Sequence, residues 1–105
     1  MKTQTQKPNK IIITAKEWFD RINGNSYFAA KIDLENKTLL IPFAYGYGEA
    51  YLYEAIKLLI KENYLPTTVQ NSRALKDYCD NNEIVLFYGI QRNCLKRELK
   101  QLVIN

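Results

Sequence analysis

The sequence predicts a single small α+β domain, in which a mainly antiparallel sheet carries helices packed on one face. Residues 27–34 alternate apolar and polar side chains, as a half-buried strand does. Residues 52–60 repeat apolar side chains at helical spacing, and residues 84–87 form the continuous apolar run of a central strand. The full predicted order is β-α-β-β-α-α-β-α, which is typical of a two-layer α+β sandwich.

The first nine residues differ from the rest because they are polar and basic around Pro8. We predict a flexible basic tail over residues 1–9 and one domain over residues 10–105. The tail lacks the apolar stretch of a secretory signal, and no apolar run reaches the roughly 18 residues that a membrane span needs. We therefore expect a cytoplasmic protein with no membrane partner.

The domain begins with three consecutive isoleucines, Ile11–Ile13, which favour a short strand. Thr14 and Glu17 have the spacing of a helix capping box, so we predict a helix over about 15–22 that stops at Asn23-Gly24. Trp18 and Ile22 are four residues apart on this helix and are predicted to face the core.

A β-hairpin follows, with strands over 26–34 and 38–45 and a turn at 35–37. Pro42 lies inside the second strand and cannot donate a ladder hydrogen bond. The strand is therefore an edge strand or is bulged at that residue.

The second half of the chain predicts three helices and one strand. The longest helix covers about 49–63, and a shorter one capped by Asn71 or Ser72 runs to Asp80. A strand over 83–88 precedes a last helix that Asn93 caps. The apolar stripe of that last helix consists of Leu95, Leu99, Leu102 and Val103.

The absence of histidine narrows the chemistry that the chain can perform. It excludes Ser-His-Asp and Cys-His hydrolysis and histidine-ligated zinc sites. Asp77, Asp80 and Glu83 lack the spacing of a calcium loop, so no metal site is predicted. We also predict no catalytic residue and no cofactor. Cys79 and Cys94 are expected to be reduced thiols, and the thiol pKa of Cys94, near a helix start, could be lowered.

Aromatic and basic side chains are the best candidates for partner binding. Tyr47 and Tyr51 are four apart at the start of the long helix, which predicts an exposed aromatic patch, and the last helix carries a basic stripe on a chain of net charge +4. The predicted partner-binding residues are Tyr45, Tyr47, Tyr51, Tyr53, Arg92, Lys96, Arg97 and Lys100.

The turn Tyr45-Gly46-Tyr47-Gly48 has two interpretations. Amide groups at a helix start can hold an anion, and glycines allow its close approach. Alternatively, the two glycines only permit a tight chain reversal, which is the interpretation that we favour.

Two stretches, Trp18 to Phe28 (WFDRINGNSYF) and Phe43 to Gly48 (FAYGYG), resemble a pattern in small proteins of phages and other mobile elements. The resemblance covers residues 12 to 60. It implies a bacterial host cell and the accessory genes that include inhibitors of host defence such as anti-CRISPR proteins.

These observations lead to one main hypothesis and two alternatives. The main one is a non-enzymatic protein that binds and inhibits a host protein or ribonucleoprotein complex that processes nucleic acid, such as a CRISPR effector. The first alternative is a small protein that binds RNA or DNA directly. The second is an enzyme that uses carboxylates or Cys94.

Overall fold

A computed structural model describes residues 7–104, which form four strands and three helices. The α+β class is therefore confirmed. The strands are β1 (Lys10–Asp20), β2 (Asn25–Asp33), β3 (Thr38–Tyr45) and β4 (Val85–Gln91). The helices are α1 (Ala50–Lys61), α2 (Ser72–Asn81) and α3 (Lys96–Ile104). None of the helices in this part of the chain has the length and apolarity needed to cross a membrane.

The strands form one sheet in the order β3-β2-β1-β4. The pairs β1–β2 and β2–β3 are antiparallel, whereas β4 lies parallel to β1. The sheet is thus mixed rather than purely antiparallel. Helices α1 and α2 form the crossover that a parallel pairing requires, because they return the chain to the end of the sheet where β1 begins.

The predicted helix over 15–22 is wrong, because residues 15–20 continue β1. Nine consecutive residue pairs join β1 to β2, from Ile12 opposite Asp33 to Asp20 opposite Asn25. This pairing outweighs the local capping signal, since a capping box contributes only about 1 kcal/mol. The predicted helix stop is a hairpin turn with Gly24 at φ 71°, and Ile22 is 94% exposed there instead of facing the core.

The turn after β1 is held by the Asp20 carboxylate. It accepts hydrogen bonds from the amides of Ile22 and Asn23, at 3.0 and 3.3 Å, and from Asn23 Nδ2 at 2.8 Å. The hydrogen bond from the Asn23 side chain is the largest cause that lowers the pKa of Asp20 from its ordinary value of 3.8. The Asn23-Gly24 motif therefore has a structural role in closing this hairpin.

Helices pack on both faces of the sheet, not on one. We call the side covered by α1 and α2 the α1 face, and the opposite side the α3 face. The α1 face holds the main core, whose largest fully buried side chains are Phe28, Ile11, Ile13, Ile32, Leu52, Ile56, Leu59 and Leu75. The α3 face holds a smaller cluster in which Ala29, Cys94 and Leu99 are buried and Trp18, Tyr27 and Leu102 are partly buried.

The two edges of the sheet are β3 and β4. In β3, Pro42 and Phe43 lie opposite Ala29 alone, so both predictions for this strand, an edge and a bulge, are confirmed. The prediction that the 83–88 segment is a central strand is wrong. Its side chains alternate instead: Leu86 packs against the core, whereas Val85 and Phe87 are 65% and 64% exposed.

The predicted helices of the second half are confirmed in place. Asn71 caps α2, since its side chain accepts a hydrogen bond from the Ala74 amide at 2.8 Å. Asn93 does not cap α3; the Glu98 carboxylate accepts from the Leu95 amide at 2.6 Å instead. Leu99 is buried and Leu95 is exposed, and the side chain of Val103 lies outside the described residues.

Residues 1–6 of the predicted tail also lie outside the described residues. The last part of that segment is ordered, because Pro8 is buried and the Asn9 carbonyl accepts a hydrogen bond from the Val85 amide at 3.0 Å. The ordered chain therefore begins before Lys10.

Candidate binding surface

The glycines between β3 and α1 permit a tight chain reversal. The Gly46 amide donates to the Ser26 carbonyl at 3.0 Å, which extends the β2–β3 ladder by one bond. Gly46 has φ 153°, and a Cβ there would lie 2.8 Å from Ala50 Cβ and 3.0 Å from the Phe28 ring. Gly48 adopts the left-handed φ of 63°. Glycine is thus required at Gly46 by close packing and at Gly48 by conformation.

A carboxylate of the chain itself accepts a hydrogen bond from an amide of this turn, at the position that the anion-site interpretation assigns to a ligand. Glu17 Oε1 accepts a hydrogen bond from the Gly48 amide at 3.3 Å, and Glu17 Oε2 lies 3.9 Å from Arg92 Nε. The Glu17 carbonyl also accepts from the Cys94 amide at 3.0 Å. One residue of β1 therefore ties together the loop before α1 and the loop before α3.

Four aromatic side chains meet on the α3 face and form what we call the aromatic cluster: Trp18, Tyr27, Phe43 and Tyr45. The Tyr27 ring stacks on Trp18 at 5.6 Å and on Phe43 at 5.0 Å between centroids. The Tyr45 ring meets Tyr27 edge to face at 5.7 Å. The cluster spans β1, β2 and β3, so three strands hold its rings in place.

The bulge in β3 completes this cluster. Tyr45 lies opposite Tyr27 in the ladder, and the extra residue at Pro42 shifts the alternation of β3, so that Leu39 and Ile41 face the main core whereas Phe43 and Tyr45 face the α3 side. Without the extra residue, Phe43 and Tyr45 would lie on the same face as Leu39 and Ile41. The bulge thus turns both aromatic residues of β3 to the α3 face.

A lysine from α3 lies against the aromatic cluster. Lys96 Nζ is 5.4 Å from the centroid of the Trp18 ring and 5.9 Å from that of Phe43, which is the range of cation–π contacts. The Lys96 charge also contributes to the lowered pKa of Asp20. Exposure differs within the cluster: Tyr45 is 68% exposed, Phe43 is 37% exposed, and Trp18 and Tyr27 are half-buried.

The predicted tyrosine patch is not a single surface. Tyr51 is buried, at 4% exposure, and this burial raises its pKa. Tyr45, Tyr47 and Tyr53 are exposed, but Tyr53 points away from the aromatic cluster and lines a groove of about 340 Å³ between α1 and residues 67–70. Of the four tyrosines, Tyr45 alone has a ring contact with the cluster among the described residues.

All four predicted basic residues, Arg92, Lys96, Arg97 and Lys100, are exposed. Arg92 lies near Glu17, and Lys96 lies over the aromatic cluster. The structure therefore brings Tyr45 and Lys96 to one surface, together with three rings that are not among the predicted partner-binding residues. Those three are Trp18, Tyr27 and Phe43. If the first strand is extended from Ile11–Ile13 as far as Trp18, it can pair with the next strand, and Trp18 then lies opposite Tyr27.

The cysteines are not activated. Burial, the largest cause, raises the pKa of Cys79 to about 11. Burial also raises the pKa of Cys94, against the prediction that a helix start could lower it. Cys94 Sγ lies 3.3 Å from the Gln91 carbonyl, and its side chain packs beside Leu99. Both thiols fit a packing role.

Comparison with family models, with curated proteins and with solved structures gives no match for this chain. The aromatic cluster and its lysine therefore provide the physical basis for a functional proposal.

Proposed function

We propose that this chain is a non-enzymatic protein of a phage or mobile element that binds and inhibits a host complex that processes nucleic acid, as anti-CRISPR proteins do. The aromatic cluster with Lys96 is the proposed contact surface. The observation that carries the proposal is that four rings from three strands meet at the surface beside a lysine.

The exposure of these rings supports a role in binding. Tyr45 and Phe43 keep much of their apolar surface in water, although Trp18 and Tyr27 already anchor the cluster to the sheet. Tryptophan and tyrosine are enriched among the residues that dominate interface energies. Rings that are already packed on a sheet also lose little conformational entropy when a partner binds.

The charge beside the cluster indicates the chemistry of the partner. Lys96, Arg97 and Lys100 are exposed along α3, which is the helix that borders the cluster. An acidic protein surface or the phosphates of a ribonucleoprotein would complement this charge. The resemblance of residues 18–28 and 43–48 to phage proteins adds the context, because these stretches supply every ring of the cluster.

The two cysteines and the lack of histidine are consistent with binding rather than catalysis. The sequence contains no histidine, and both thiols are buried with raised pKa values. A thiol held protonated in the core is a poor nucleophile at neutral pH.

The test is affinity capture from a bacterial lysate combined with a defence assay in cells that express the chain. We expect the wild type to recover a nucleic-acid-processing complex and to reduce defence, and Tyr45→Ala to lose both effects. Tyr53→Ala is the matched control, because Tyr53 is also exposed but lies outside the aromatic cluster. Recovery of no such complex together with normal defence, or equal loss in the two variants, would contradict the proposal.

Direct binding of single-stranded nucleic acid is the second candidate function. It is favoured by the position of the rings on a sheet face beside a basic helix, since single-strand-binding proteins stack bases on sheet-borne aromatic rings and track phosphates with cations. It predicts that labelled oligonucleotides bind the purified chain with an affinity that falls steeply with salt. Absent binding, or binding insensitive to salt and to Tyr45→Ala, would exclude it.

A further inference from the structure

The outer edge of β4 is open for hydrogen bonding. Strand β4 pairs with β1 on one side, and no strand among residues 7–104 pairs with its other side. The Val85 amide donates to the Asn9 carbonyl, so odd-numbered residues of β4 direct their backbone groups towards β1. In a parallel ladder the intervening residues, Leu86, Tyr88 and Ile90, then direct their amides and carbonyls outward.

The two edges of the sheet differ in how they are protected against pairing. Strand β3 carries Pro42 and a bulge, both of which prevent a further strand from adding to it. Strand β4 has neither a proline nor a charged residue over its seven positions, and it exposes two large apolar side chains, Val85 and Phe87. An uncharged edge with exposed apolar residues is the kind that recruits another strand.

We propose that two copies of this chain associate through their β4 edges, which pair antiparallel across a two-fold axis to form a continuous eight-stranded sheet. Charge favours a second copy as the occupant. Glu83 precedes the strand and Arg92 follows it, so antiparallel pairing centred on Phe87 places Glu83 of each copy opposite Gln91 of the other, one residue from Arg92, which also lies near Glu17. Parallel pairing would place like charges together, which is unfavourable.

The geometry of the edge also defines a register. A two-fold axis perpendicular to the sheet preserves its faces, so each residue must lie opposite one on the same face. Centring the pairing on Phe87 places Leu86 opposite Tyr88 of the other copy, with outward backbone groups facing each other. Phe87 then lies opposite Phe87 of the other copy, and Val85 lies opposite Gly89. A Cβ added at Gly89 would have no atom within 4 Å. The glycine leaves room for the neighbouring rings at the axis.

This association leaves the aromatic cluster free, because Tyr27, Phe43 and Tyr45 lie on β2 and β3 and Trp18 lies on β1 beyond the residues that pair with β4. The assembly presents two copies of that surface. A partner with two sites would be held by both, which raises the overall affinity without any new contact.

Analytical ultracentrifugation tests the interface. We expect the wild type to sediment at twice 12.3 kDa and Phe87→Lys to sediment at 12.3 kDa, because two lysines would face each other at the axis. Because Phe87 is 64% exposed, we expect the folded monomer to tolerate a lysine at this position. Circular dichroism of the variant checks that it is folded. Leu40→Lys on β3 is the matched control and should remain a dimer. A monomeric wild type at millimolar concentration, or a dimeric Phe87→Lys, would overturn the proposal.

Cysteine cross-linking tests the register. In a non-hydrogen-bonded antiparallel pair the Cα atoms lie about 4.5 Å apart, within reach of a disulfide. We therefore expect Phe87→Cys to form a covalent dimer under mild oxidation and Val85→Cys, opposite Gly89, to form little. The native thiols of Cys79 and Cys94 are buried and do not compete. Failure of Phe87→Cys to cross-link, or equal cross-linking by both variants, would refute this register.

Discussion

The two faces of the sheet are built from the same strands but differ in how much of their apolar surface is covered. On the α1 face, two helices bury a core in which Phe28, Leu52 and Ile32 are at most 1% exposed. On the α3 face, one nine-residue helix covers Ala29 and leaves Phe43 and Tyr45 in contact with water. The difference indicates that the α1 face provides most of the folding free energy, whereas the α3 face leaves aromatic surface exposed.

The largest expected effect comes from the α1 face. Leu52→Ala removes a fully buried side chain of α1 and should lower the free energy of unfolding by about 2–5 kcal/mol. Leu40→Ala on the α3 face, where Leu40 is 41% exposed, should change it by no more than about 0.5 kcal/mol. Urea unfolding of the two variants measures the contrast, and similar losses would contradict the assignment of the main core to the α1 face.

The next effect concerns Gly46, which packs against both Phe28 and α1. Gly46→Ala should cost about 2–4 kcal/mol, because the added Cβ would lie 2.8 Å from Ala50 Cβ and the backbone would be strained. Gly48→Ala is the control, since a Cβ there has no atom within 4 Å and only the left-handed conformation costs about 1 kcal/mol. Thermal unfolding should rank the two variants in this order; the reverse order would show that packing at Gly46 is looser than the structure indicates.

A smaller effect is expected on the α3 face. Lys96→Ala removes the cation over Trp18 and Phe43 and should lower the free energy of unfolding by about 0.5–1 kcal/mol. Lys100→Ala removes an exposed lysine of the same helix and should leave stability unchanged. Chemical denaturation of both variants makes the comparison, and equal values would mean that the ring contacts of Lys96 add nothing to folding.

The smallest effect concerns pH. The pKa of Asp20 is lowered chiefly by the Asn23 side chain, with further lowering by nearby amides and Lys96 and an opposing effect of burial. A carboxyl with a lower pKa in the folded state stabilises the fold above its unfolded pKa of 3.8, and this contribution is lost as pH falls through the folded value. Asn23→Ala should therefore raise the Asp20 pKa towards 3.8 and weaken the acid dependence of stability. An NMR titration of Asp20 measures this, and an unchanged pKa would rule out the hydrogen bond as its cause.

Local patterns predicted those elements whose signals agree with their tertiary partners. The β2–β3 hairpin, α1 and the Asn71 cap were predicted within a few residues, and Pro42 correctly indicated both the edge and the bulge. These features depend on alternation, on helical spacing or on a single side chain. Each of them is therefore decided within a short stretch of sequence.

The predictions that are wrong concern residues whose local sequence pattern favours one structure while contacts with distant residues favour another. Residues 14–17 match a helix start, yet Glu17 lies in β1. Its carboxylate accepts a hydrogen bond from the amide of Gly48, which is 31 residues away in the chain. Trp18 is predicted to face the core from a helix, whereas its pairing with Tyr27 in the sheet places it in the aromatic cluster. The spacing of residues within one segment cannot predict contacts of this kind with a distant segment.

The sequence by itself determined the α+β class, the hairpin, the positions of the later helices and the absence of histidine chemistry. The tertiary structure alone decided that β1 extends to Asp20, that β4 is an edge strand parallel to β1, and that Tyr51 is buried while Tyr45 is exposed. The physical reason is that side-chain periodicity indicates how many faces of a segment are buried. Which segments cover those faces depends on contacts between residues far apart in the chain.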